Sequence, residues 1–344
     1  MTPLSYSSLT TVLKHLPTDL RISISKRCPI IRRIEKNIPM KIRYIHIDGA
    51  RLVVDGISFD MDIPDFYDLL PDPVTRVWTW TEPDRQTLRV NSKRESAWNE
   101  TVIMDNRSRK DALEYLLSKI FAGRSGNVIN CKTVSIGEFN GEVDEYTPPI
   151  SPIPNLPGLV RFHTKNLILT DAPADSDDLN RVLVPTCFPL ESINQCCVYL
   201  ENELEYPIVQ QSKLLILSLD LDSHEEEYGD LNALTHSRIH FYREYWYTWN
   251  IESLLVSWRE NQKPIGTHFS FERPTVGGMR RLLRDIGDRF PESRIRKIGN
   301  KSRPFLPDQV LIPLNDYSEI KVFCKATKKN LKSLHLKVQP IRRS

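Results

Sequence analysis

The chain lacks any long apolar run. The densest, Leu214 to Leu217, falls far short of the roughly 20 residues a membrane span requires, so no membrane partner is expected. Paired cysteine spacing is also missing. Cys28, Cys131, Cys187, Cys196, Cys197 and Cys324 include no C-x-x-C, which leaves a zinc site without support and makes buried free thiols in a reducing compartment the expectation. The start, Met1-Thr2-Pro3-Leu4, has no charged stretch followed by an apolar one, as a signal peptide would. The end, Ile341-Arg342-Arg343-Ser344, fits no lipidation or retention signal. An intracellular protein of the cytoplasm or nucleus is therefore expected, and the sequons at Asn99, Asn106 and Asn300 carry no weight. Nor is there a G-x-S-x-G, H-E-x-x-H, P-loop or G-x-G-x-x-G. No catalytic residue, cofactor or metal ligand is expected, and the chain reads as an interaction protein and not an enzyme.

What is there is ample. The 344 residues are 40% hydrophobic, enough for a core and for about two domains. The net charge of +3 is too small to name a partner. In the first forty residues, Leu9, Val12, Leu13 and Leu16 fall at i, i+3, i+4 and i+7, one helical stripe that Ser7 or Ser8 can cap and Pro17 ends. A second helix can run from Thr18 or Asp19 to Arg27, with Leu20 and Ile24 on one side, until Cys28-Pro29 breaks it. Pro29 can open a third, carrying Ile30, Ile31 and Ile34. The stripe supplies ~10 kcal/mol gross at about 1.5–3 kcal/mol per buried side chain. Ordering forty residues costs several times that, at ~1–2 kcal/mol of backbone entropy each. The head must therefore pack on something else, either the body of this chain or a partner.

From Lys41 the hydrophobic period changes to two, and Asp48-Gly49 and Asp55-Gly56 mark hairpin turns in a small antiparallel sheet. Residues 62–100 read as a long loop with a possible strand at Val77–Trp80. Ser108–Ala122 reads as a helix with Leu113, Leu116, Leu117, Ile120 and Phe121 as its stripe and Gly123 at its end. A strand is expected at Thr133–Ile136, then a proline-rich surface loop over 140–157. Short β-like cores then recur about 22 to 30 residues apart, at 166–169, 192–198, 214–219, 238–241 and 267–271, a spacing in the solenoid range. Helices are expected around Ile251–Trp258 and Val276–Phe290, and three final strands at 310–314, 319–325 and 333–338. The fold class is α+β: a three-helix head over 1–40, a small sheet and loop over 41–100, an irregular leucine-rich-repeat-like α/β array over 101–290, and an antiparallel β cap over 291–344.

Candidate chemistry is weak against its bland alternatives. Asp220-Leu221-Asp222-Ser223-His224 with Glu225, Glu226 and Glu227 lacks the glycine and terminal glutamate spacing of an EF-hand and reads as a solvated acidic loop. His236 and His240 lie where alternation implies a strand, and His268 reads as structural. Arg273–Arg303 holds ten basic residues against three acids, while Glu201–Asp230 holds nine acids against one lysine. The basic block lacks any recognised nucleic-acid module, which argues against a nucleic-acid partner. The aromatic cluster from Phe241 to Trp249 is either core or, with Tyr242, Tyr245, Trp246, Tyr247 and Trp249 at the surface, a protein-target site, because Trp and Tyr dominate interface energetics.

The head carries a resemblance. Pro3-Leu4, Leu9, Val12-Leu13, Leu16-Pro17, Arg21, Ser25, Arg27-Cys28-Pro29 and Ile31 together resemble a degenerate F-box, the helical motif that docks onto a Skp-type adaptor in cullin-based ubiquitin ligases. The chain is most similar to the nematode-expanded F-box C family, in which a domain of unknown function follows. The segments Trp258–Phe271 and Leu314–Val322 resemble the same family. Ile24-Ser25-Lys26-Arg27-Cys28 stands where the family carries Val-Ser-Lys-x-Trp. The resemblance implies a substrate-recruiting, non-catalytic subunit that contacts the adaptor through Leu9, Val12, Leu13, Leu16, Leu20 and Ile24. The alternative is a scaffold whose head is only a structural cap.

Overall fold

A computed structural model of the protein describes residues 5–48, 51–61, 85–92, 100–105, 109–124, 128–137, 161–170, 176–197, 207–219, 234–242, 248–273, 276–296, 309–326 and 332–341. The chain is α+β and divides into two compact units, Met1–Leu190 and Glu191–Ser344, with the boundary inside the stretch read as the 101–290 body.

The first unit opens with three helices, α1 (Tyr6–His15), α2 (Thr18–Arg27) and α3 (Pro29–Lys36). Ser5 caps α1 by accepting from the Ser8 amide, and Pro29 stands in the first turn of α3, where its missing N–H costs nothing. A meander follows: β1 (Lys41–Ile47), β2 (Arg51–Val54), β3 (Ile57–Met61), β4 (Arg85–Ser92) and β5 (Glu100–Asp105), each antiparallel to the next. The β2–β3 turn has Asp55 at φ 49° and Gly56 at φ 102°, the left-handed pair that a two-residue hairpin requires. Helix α4 (Arg109–Phe121) leads into β6 (Val128–Ile136), which runs parallel to β1, to β7 (Arg161–His163) and to β8 (Asn166–Thr170). Ile45, Val134 and Leu167 stack across these strands, as do Ile47, Ile136 and Leu169, and all six are buried. Gly137 ends β6 with its α-carbon so close to the Thr170 carbonyl that a Cβ would sit 1.9 Å away, so no larger residue fits. A short helix, α5 (Ser176–Val182), and a 3₁₀ turn at Pro185–Cys187 close the unit.

In the second unit β9 (Ser192–Cys197), a turn of helix α6 (Pro207–Gln210), β10 (Leu215–Leu219), β11 (Arg238–Tyr242), α7 (Thr248–Glu260) and β12 (His268–Arg273) build a parallel ladder from β9 to β12. After α8 (Val276–Arg289) come β13 (Arg294–Arg296), β14 (Gln309–Pro313), β15 (Ser318–Ala326) and β16 (Lys332–Pro340), successive antiparallel neighbours, with β16 also antiparallel to β12. One buried row crosses the sheet: Ile193, Leu215, Ile239, Phe269, Leu336, Val322 and Val310. Trp258 of α7 packs edge-on to Phe269 at 4.8 Å, and Phe241 stacks on Phe271 at 4.7 Å.

The sequence reading differs from this structure at several described places: β5, β7, α5, α6 and β13 are elements it does not contain, Ser5 and not Ser7 or Ser8 caps α1, and His236 precedes strand β11 instead of lying in it. Residues 85–92, read as part of a loop, are strand β4. Their alternation is weak, and ladder hydrogen bonds to β3 and β5 hold them. The possible strand at 77–80, the proline-rich stretch at 140–157 and the turn at 328–330 lie outside the described residues. Among the described residues no helix is long and apolar enough to cross a membrane.

Candidate interaction surfaces

The head is fastened to the first unit through a buried carboxylate. Glu35 is 1% exposed and faces two guanidinium groups. Arg124, just beyond α4, meets it in a two-point contact, with Nη1 to Oε1 at 2.9 Å and Nη2 to Oε2 at 2.8 Å. Arg21 of α2 adds Nη2 to Oε1 at 2.9 Å, and donates also to the Pro39 and Ile38 carbonyls at 3.1 Å each. Burial pulls the Arg21 guanidinium below its ordinary pKa, with Glu35 opposing. Lys36 Nζ donates to the Ala122 carbonyl at 2.7 Å, the helix end where carbonyls lack partners, and burial lowers its pKa as well. Planar, always-charged arginine suits such a buried two-point pair.

With that side held, the apolar residues of the head divide. Leu13 is 1% exposed and belongs to the core. Val12 is 44% and Leu20 36% exposed, while Leu9, Leu16 and Ile24 are half-buried. Tyr6 and Ile30 are exposed too. The six expected adaptor contacts thus comprise five at least partly accessible side chains and one interior one.

The second unit carries a polar row on the sheet face opposite Trp258. Strand alternation puts His240, Ser270 and His335 side by side, with Arg238, His268 and Lys337 in the next row. His268 Nε2 lies 3.0 Å from His335 Nδ1, and His335 Nε2 lies 2.8 Å from Ser333 Oγ. His240 Nδ1 is 2.8 Å from Ser270 Oγ. Phe323 stacks on His335, and Lys321 and Lys325 lie over the Phe323 ring. Burial, reinforced by Lys325, Arg238 and Lys337, brings the His268 pKa down to about 4. Burial and His268 bring that of His335 down to about 3. Burial lowers His240 as well, with Glu272 opposing. Both linked rings are therefore neutral at pH 7, one nitrogen of each donating and the other accepting. Tyr242, 57% exposed, stands beside this row on β11. Of the other expected target contacts, Tyr245, Trp246 and Tyr247 lie outside the described residues, and Trp249 is in the first turn of α7. Phe241, the first of that aromatic cluster, is core.

One constellation has the residue types of an acyl-transfer triad. His46 Nδ1 lies 3.0 Å from Ser135 Oγ and His46 Nε2 lies 3.0 Å from Asp48 Oδ2. Its ring nitrogens are exchanged relative to such a triad, and all three residues are buried on β1, β6 and the turn after β1. The arrangement serves as an internal hydrogen-bonded chain between adjacent strands. Burial raises the Cys131 thiol to about 12 and raises Cys187 too, which keeps both protonated and unreactive. Among the described residues Cys28, Cys131, Cys187 and Cys324 form no disulfide. Among the described residues no group of three His, Cys, Asp or Glu is placed to hold a metal ion.

Sequence reading did not find Glu35, Arg124 or the histidine row. Glu35 looks like an ordinary surface charge on a highly charged helix, and its partner is 89 residues away. The histidine row did leave a signal, polar residues alternating with apolar ones in His268-Phe269-Ser270-Phe271 and Ser333-Leu334-His335-Leu336. No curated protein and no solved structure matches the chain. A family model does: residues 108–273, which run from α4 to the end of β12 and include the Trp258–Phe271 segment, are similar to the family described as Domain of unknown function (DUF3557), so a domain of unknown function follows the helical N-terminal region.

Proposed function

We propose that this protein is a non-catalytic, substrate-recruiting subunit of a cullin-type ubiquitin ligase, working in the cytoplasm or nucleus. Its helical head is an F-box that docks onto a Skp-type adaptor through Leu9, Val12, Leu16, Leu20 and Ile24, while Leu13 holds the head together from within. Its body is an irregular leucine-rich-repeat-like array that presents the polar sheet face of the second unit, with Tyr242, to a protein target. The observation that carries the reading is the exposure of Val12 and Leu20 on a head whose other side is locked by Glu35. Such surface releases about 25 cal/mol per Å² when a partner covers it. The parallel β9–β12 ladder, with one apolar row recurring from strand to strand, supports the repeat-like reading.

The test is affinity capture of the full chain and of a Val12→Asp/Leu20→Asp variant, scored for adaptor and cullin. Both positions are accessible, so the variant should keep its circular dichroism and melting temperature. The reading expects recovery of both ligase components by the wild type and their loss from the variant. Equal recovery from the two would sink it. The burial of Leu13 and the Glu35 clamp favour a second reading, a head that is only a structural cap with no ligase role. Under it, the wild type recovers neither component.

A further inference from the structure

Where the end of α1, the start of α2 and the β1–β3 hairpins meet lies a cleft of about 990 Å³, the size of a small-ligand site. Lys14, Arg21, Lys41, Arg43 and His15 line it, against one lining acid, Asp55. Asp55 is already engaged, its Oδ1 accepting from the Arg43 amide at 2.7 Å and the Tyr44 amide at 2.9 Å. Lys14, Lys41 and Arg43 are exposed. The cations outnumber the acids even when Asp19, in the first turn of α2, is counted.

Two features make this more than a basic patch. Helix α2 begins at the cleft without a side-chain cap, and its first intrahelical bond is donated by Arg21, so the amides of Thr18, Asp19 and Leu20 precede that ladder. Such an end attracts anions through its free N–H groups and its dipole. Arg21 lines the same cleft while only 3% exposed, and its Nε–H has no acceptor among the described residues.

We propose that this cleft binds a phosphate monoester, its dianion seated against the first amides of α2 and flanked by Lys14, Lys41 and Arg43. A carboxylate offers two coplanar oxygens and one charge. A phosphate monoester offers three oxygens in a tripod and close to two charges, which suits donors converging from a helix end, a strand and α1. The ester is either a phosphorylated protein side chain or a free phosphorylated compound. The inference is independent of the ligase reading, because adaptor capture does not enter its test.

The test is a titration of the isotope-labelled full chain at constant ionic strength, followed by backbone amide NMR. The probes are inorganic phosphate, a short phosphoserine peptide and the same peptide unphosphorylated. The proposal expects saturable shifts of the Thr18, Asp19 and Leu20 amides with both phosphate probes and none with the plain peptide. A Lys41→Glu/Arg43→Glu variant should bind roughly tenfold or more weakly, and Lys14→Ala weakens binding by a smaller factor without touching the sheet. A peptide that binds much more tightly than inorganic phosphate assigns the ligand to a phosphoprotein, and equal affinities assign it to a soluble compound. Unmoved α2 amides, or undiminished binding by both variants, would overturn the proposal.

Discussion

The first unit buries a three-member ion cluster, Glu35 with Arg21 and Arg124, whereas the second centres its core on Trp258, Phe241, Phe269 and Phe271 and lays a row of histidines on one sheet face. Glu35, Arg21 and Arg124 stand inside the first unit, as do His46, Asp48 and Ser135. In the second, Trp258, Phe241, Phe269 and Phe271 fill the interior, and His240, His268 and His335 lie across the sheet from them. A buried ion cluster fixes geometry at little net gain, because desolvation offsets most of the attraction, yet removal of one member leaves the others stranded. An aromatic core stabilises by area and tolerates change more evenly. The contrast suits the proposed roles: a head held in one orientation in the first unit, and a stable platform with an adaptable face in the second.

Glu35→Ala should break this comparison most sharply. It leaves two guanidinium groups buried without their anion, at a cost of about 3–5 kcal/mol. Chemical denaturation should show the loss, and limited proteolysis should show cleavage within residues 6–40 ahead of the rest. If Glu35→Ala costs no more than an exposed glutamate substitution, the clamp is not what holds the head.

Trp258→Phe probes the other unit. The indole is fully buried and its Nε1–H lacks an acceptor among the described residues. The variant loses volume and also an unsatisfied donor, so a cost of about 1–3 kcal/mol is expected. A cost as large as that of Glu35→Ala would mean that the second unit too depends on one irreplaceable contact.

Acidification separates the units by charge. With folded pKa values of about 4 for His268 and about 3 for His335, both rings stay neutral in the folded unit as the pH falls through 6.5. The unfolded chain takes up protons there, so stability contributed by these residues is complete above about pH 6.5 and is lost progressively toward pH 4. With allowance for solvent screening, about 1–3 kcal/mol should disappear between pH 7 and pH 5, lowering the melting temperature by several degrees. His335→Gln should flatten that slope. An unchanged slope would show that the linked histidines do not set it.

The smallest effect on stability is expected at Tyr242→Ala, within about 0.5 kcal/mol for an exposed position. Denaturation curves should overlay those of the wild type. A larger loss would place Tyr242 in the packing and remove it from the target-facing surface.

Much of the framework was legible in the residues. Helices α1, α3, α4, α7 and α8 and the recurring strands carry a 3.6- or 2-residue period, because one face of each must be apolar, whereas α2 turns Thr18, Arg21, Ser23 and Ser25 inward and carries no such signal. Asp55-Gly56 announced its turn through the need for positive φ. Strand β4 was not legible, since Arg85–Ser92 alternates weakly and is defined by its neighbours. The division of the head stripe into interior Leu13 and exposed Val12 was also hidden: helical periodicity marks a greasy side but not which of its residues a neighbouring element covers. Contacts between distant residues, such as Glu35 with Arg124 and His268 with His335, leave no local pattern that would pair them.

The central claim, that the head offers an accessible apolar surface to an adaptor, is tested most directly by hydrogen–deuterium exchange of the purified full chain with and without purified Skp-type adaptor. Added adaptor should slow exchange within residues 6–34, and Val12→Asp/Leu20→Asp should abolish that protection while leaving the rest of the exchange map unchanged. A wild-type head whose exchange is unaffected by saturating adaptor would contradict the account.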